Sequence, residues 1–155
     1  MKEQLLKWAQ AGDGDCAYKL SQIYRNEGNA EQYRHWLTKS AAAENYFGMK
    51  EYAAILLEAE HTSDALELYK KIFDQTCDTE AAEILVDNCG RDPETLNFVL
   101  EKINSMYNEI YLRMGNFMAR VFTFGTRRHN EMTMGTWYAI ERCRIAEKIR
   151  KLLAE

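Results

Sequence analysis

Residues able to do chemistry are sparse in this chain, and their spacing limits what they could do. The three histidines are His35, His61 and His129. None has a second His, Cys or carboxylate at a spacing that zinc sites use, and no His-Glu-x-x-His pair occurs. The four cysteines, Cys16, Cys77, Cys89 and Cys143, make no Cys-x-x-Cys motif. They read as reduced, mostly buried small apolar residues. Gly12-Asp13-Gly14 is too short for a phosphate loop and lacks its lysine. No Gly-x-Ser-x-Gly elbow is present. Carboxylates such as Glu58 and Glu60 are plentiful, but neighbours on one strip of sequence do not define an acid/base pair. No cofactor and no metal is expected, and an enzyme would need a site assembled from distant residues.

The arginines carry more pattern. Arg113, Arg120 and Arg127 are spaced by seven and share heptad phase with Val99 and Met106. The seam of a long helix thus turns from apolar to guanidinium, and Arg128 and His129 follow at once. Guanidinium matches the planar geometry of carboxylate and phosphate. Either these arginines pair with acidic helices of the same chain, or Arg113 to His129 line a partner-binding face.

Among the aromatics, Tyr18, Tyr46 and Tyr111 fall off the clearest apolar stripes. Exposed tyrosine is a frequent interface anchor, because it buries much area with few rotatable bonds. The alternative for each is partial burial beside a neighbouring helix. Phe117, Met118, Phe122 and Phe124, with Met132 and Met134 nearby, form the richest apolar cluster. Such a cluster is core, or, where exposed, a docking or dimerisation patch.

The elements that must position these residues are helical. The chain has 155 residues with one Pro and 8 Gly. Strands joined by tight turns would usually need more of both. Leu5, Leu6, Trp8 and Ala9 open an amphipathic segment, which Gly12-Asp13-Gly14 ends. Asp13 or Asp15 caps a second helix with Ala17, Leu20, Ile23 and Tyr24 inward. Gly28 suits a left-handed stop, and Asn29 with Gln32 starts a third helix. That helix buries Tyr33, Trp36, Leu37 and residues 40–42, and Asn45 breaks it. A fourth spans about residues 47–59, with Tyr52, Ile55 and Leu56 inward. Thr62 or Ser63 caps a fifth, carrying Ala65, Leu68, Tyr69, Ile72 and Phe73. Asp78 caps a sixth, and Asn88-Cys89-Gly90 ends it. Asp92-Pro93-Glu94 starts a long helix running to about residue 121. Residues 125–135 read as a loop before a last helix, about 136–153.

An offset of 32 aligns Leu20 with Tyr52, Ser21 with Ala53, Tyr24 with Leu56, Leu37 with Tyr69 and Ser40 with Ile72. Small Ser21 and Ala53 let two helices of a hairpin approach closely. At these residues the chain resembles the tetratricopeptide superfamily, in particular its Sel-one-like branch. Leu20-Ser21-x-x-Tyr24 looks like the family's Leu-Gly-x-x-Tyr run, with Ser in place of Gly. Tyr33-x-x-Trp36-Leu37-x-Lys39-Ser40-Ala41 is similar to its Ala-x-x-Trp-Tyr-x-Lys-Ala-Ala run, and Ala65-x-x-Leu68-Tyr69-x-Lys71 repeats it. The resemblance covers about residues 5–90 and departs at the missing Gly and the missing inter-repeat Pro. It implies an all-α single domain, 1–155. Residues 1–90 would form a short α-solenoid of stacked antiparallel hairpins, closed by a C-terminal helical hairpin over 91–155.

Net charge is -4 overall. Residues 1–93 hold 10 basic and 17 acidic side chains (-7), residues 94–155 hold 10 and 7 (+3). That balance argues against a nonspecific DNA binder, which would be strongly basic. No apolar run approaches a membrane span, and the N-terminus lacks an apolar signal core, so a cytoplasmic protein is expected. The expected function is non-catalytic binding of another protein or peptide, as a bacterial adaptor or an immunity-type inhibitor. The terminal hairpin offers a homodimer contact. The alternatives are a regulator that binds RNA or another polyanion through Arg120, Arg127, Arg128 and His129, and an enzyme with an unrecognised site.

Overall fold

The structure is a computed structural model that describes residues 2–106 and 129–154, with side chains described over 2–106 and 142–154. Among the described residues every regular element is a helix and none is a strand. In chain order these are α1 (Lys2–Gln10), α2 (Gly14–Asn26), α3 (Ala30–Ala42), α4 (Tyr46–Glu58), α5 (Thr62–Thr76), α6 (Thr79–Asn88), α7 (described over 93–106) and α8 (His129–Ala154). The chain divides into two compact units, Met1–Cys77 and Asp78–Glu155.

The first unit is laid out on a 16-residue ruler. Gly12, Gly28, Glu44 and Glu60 all take positive φ, at 98°, 73°, 56° and 63°. At each of them the next N–H reaches back to a carbonyl five residues earlier. Asp13 donates to Trp8, Asn29 to Tyr24, Asn45 to Ser40 and His61 to Leu56, at 2.9–3.1 Å. This double-back closes the helix and satisfies carbonyls that would otherwise be orphaned. The residue that completes it then starts the next helix. Asp13 accepts from the N–H of Cys16 (2.8 Å), Asn29 from that of Gln32 (3.1 Å) and Asn45 from that of Gly48 (2.9 Å). His61 occupies the fourth such position and makes no side-chain cap bond. This corrects the expected cap at Thr62 or Ser63, both of which lie inside α5. The left-handed turn at Glu60 fixes where the next helix begins, whatever side chain follows.

Consecutive helices of this unit pack on one another from α1 to α5, and α2 also meets α4. Ser21 and Ala53 are both fully buried, as their small size predicts. A close approach occurs at Gly48, where an added Cβ would lie 2.3 Å from Ser40 Oγ. That same hydroxyl donates to the Gly14 carbonyl at 2.8 Å, which ties α3 to the start of α2. Such closeness explains a correction in α4. Its buried side is Gly48, Met49 and Ala53, while Tyr52, Ile55 and Leu56 are half-buried. Gly48 and Ala53 occupy the side that neighbouring helices crowd, with Met49 filling the space beside them, and the aromatic and branched residues lie nearer the rim. Leu20 is fully buried and its offset partner Tyr52 is not; Leu37 and Tyr69, and likewise Ser40 and Ile72, are all buried.

In the second unit α6 buries Ala81, Ala82, Leu85 and Val86, and α8 buries Ile145, Ala146 and Ile149. These two helices pack together. Exposed ion pairs, Arg144 with Glu83 and Lys148 with Asp87, flank that contact. Asp92 caps α7 as its sequence predicts, accepting from the N–H of Thr95 at 2.9 Å. The helix then buries Leu96, Val99 and Ile103. The loop expected over 125–135 is corrected where the structure describes it: α8 is already helical at His129. Within α8 Gly135 costs about 1 kcal/mol of helix propensity, which a 26-residue helix without proline absorbs. The course expected for residues 107–128 lies outside the described residues.

Candidate functional site

Position 47 is the most solvent-exposed large apolar side chain among the described residues. Phe47 is 59% exposed, although it stands in the first turn of a helix gripped by its neighbours. Its ring stacks on Tyr18 of α2, with centroids 5.7 Å apart and planes 25° from parallel. Tyr46 meets it edge-on at 5.1 Å. Two of the tyrosines singled out from the sequence, Tyr18 and Tyr46, are thus brought together, both half-buried, with Phe47 between them. The three rings form an aromatic ledge along neighbouring α2 and α4. Offset, edge-on and stacked arrangements at these distances are each favourable for aromatic pairs.

A polar network fixes one wall of the ledge. Glu51, one turn beyond Phe47 on α4, accepts from Gln22 Nε2 (2.8 Å), from Arg25 Nη1 (2.8 Å) and from the Tyr33 hydroxyl (3.0 Å). One carboxylate therefore binds side chains of both α2 and α3. The Arg25 guanidinium also lies over the Tyr33 ring, 5.8 Å from its centroid. Burial, followed by the hydrogen bond to Glu51, pushes the Tyr33 hydroxyl up to about 12. Burial, then the charge of Glu51, raises Tyr18 as well. Both shifts favour the neutral phenol. On the other wall, Lys50 reaches the Tyr46 hydroxyl at 3.3 Å, and Asn45 bonds Asp15 across the helix starts. The rim thus has both charge signs with an apolar centre, the pattern of a protein contact patch.

The sequence reading missed Phe47, Glu51, Gln22 and Arg25. One signal was there. At an offset of 32 Phe47 aligns with Asp15, so phenylalanine stands where the earlier stretch has a charged, exposed residue. The network around Glu51 leaves no such trace, because its members come from three helices at irregular spacings.

Of the remaining candidates, Arg113, Arg120, Arg127, Arg128, Tyr111, Phe117, Phe122 and Phe124 lie outside the described residues. His129, Met132 and Met134 fall on the backbone of α8, with side chains outside the description. Among the described residues no three His, Cys, Asp or Glu stand where they could hold a metal ion. A depression of about 90 Å³ between α6 and α8 is lined by Glu83, Asp87, Arg144 and Lys148 over Val86 and Ile145. Its charged groups pair with each other, and its size suits a few waters. No helix among the described residues is long and apolar enough to cross a membrane. No family model, no curated protein and no solved structure matches the chain.

Proposed function

We propose that this chain is a non-catalytic protein-binding module, a short tetratricopeptide-like solenoid whose first helices carry the contact surface. The ledge of Tyr18, Tyr46 and Phe47 is the observation that carries this reading. Leaving a phenylalanine ring mostly in water forgoes much of the roughly 2 kcal/mol that its burial would contribute. A partner that covers the ring recovers that free energy, and large aromatics surrounded by polar residues are common binding hot spots. The repeat reading draws support from the recurrence of positive-φ turns every 16 residues; on that reading α2 and α4 are equivalent helices of successive hairpins. Equivalent helices of stacked hairpins line one face, and the ledge lies on that pair.

The proposed role is that of a cytoplasmic adaptor or an immunity-type inhibitor, which needs a shaped surface and no reacting groups. Affinity capture from a cell lysate, run in parallel with the native chain and with Phe47→Ser, tests it. The expected result is a protein retained by the native chain and lost by the variant, with the helical circular dichroism of the two unchanged. Equal retention by both, or retention of nucleic acid in place of protein, would overturn the reading.

A further inference from the structure

We draw no further inference here: the strongest candidate, the aromatic ledge of Tyr18, Tyr46 and Phe47 on α2 and α4, belongs to the site already described, and nothing in the structure shows which partner chemistry covers it.

Discussion

The helix pair α2 and α3 is entered after Gly12 and joined at Gly28, whereas the pair α4 and α5 is entered after Glu44 and joined at Glu60. All four residues take positive φ, and the same back-reaching hydrogen bonds close all four helices. Glycine adopts that conformation without steric cost, but glutamate does not. The second pair thus keeps the turns of the first with less suitable residues, and α5 also lacks the side-chain cap that α2, α3 and α4 possess. The ruler is set by helix length and turn geometry acting together, and glycine improves it without defining it. Beyond Cys77, which is itself left-handed at φ 58°, the 16-residue spacing ends, and so does the first compact unit.

The largest expected effect separates positions 16 and 48, which lie 32 residues apart, each the third residue of its helix. Gly48→Ala should destabilise by about 2 kcal/mol, because the new Cβ meets Ser40 at a distance that forces α3 and α4 apart. That cost exceeds the roughly 1 kcal/mol of helix propensity gained. Cys16→Ala keeps a Cβ where one already fits and should cost only about 1 kcal/mol, for the lost buried sulfur. Equal midpoints for the two variants would show that the close approach is not a constraint.

Next come the turns. Gly28→Ala should cost about 1 kcal/mol, and Glu60→Gly should gain about the same, since both act on one left-handed position. Glu60 is the cleaner site, because Glu44 accepts from Gln75 at 3.2 Å and a change there alters two things. His61→Asn should add up to about 1 kcal/mol by supplying the missing cap. Thermal melts of the three variants check the signs, and a destabilised Glu60→Gly would break the comparison.

Two pH effects are smaller. The folded state holds Tyr33 at about 12, above its ordinary value of 10, so it favours the neutral phenol. The stability this contributes is complete below pH 10 and is lost as pH rises from there toward 12. Ultraviolet titration of Tyr33→Phe against the native chain should remove one late-ionising phenol and flatten that loss. At the acid end, the Cys16 N–H bond holds the Asp13 carboxyl below its ordinary 3.8. Its contribution is present above that value and disappears as pH falls through the lower, folded one. Asp13→Asn should abolish this part of the acid dependence while keeping the cap.

The helices of the first unit were legible because their stops and starts are spelled locally. Gly12-Asp13, Gly28-Asn29 and Asn45 each carry a backbone consequence that needs no distant partner. Legibility fails at Glu60-His61, where the same geometry is built from residues without the usual signature, and the cap was misplaced by a residue or two. It fails again in α4, whose apolar residues surround the helix: which of them is buried depends on neighbours, and crowding selected Gly48, Met49 and Ala53. The ledge was half legible for the same reason. Tyr18 and Tyr46 stand out by lying off a stripe, but Phe47 looks like core until α2 and α4 are placed side by side.

A photo-crosslinking residue at position 47, compared in living cells with one at exposed Thr38 on α3, tests the proposed binding role most directly. The account predicts a discrete protein adduct from position 47 and none from position 38. No adduct at 47, or the same adducts at both positions, would contradict it.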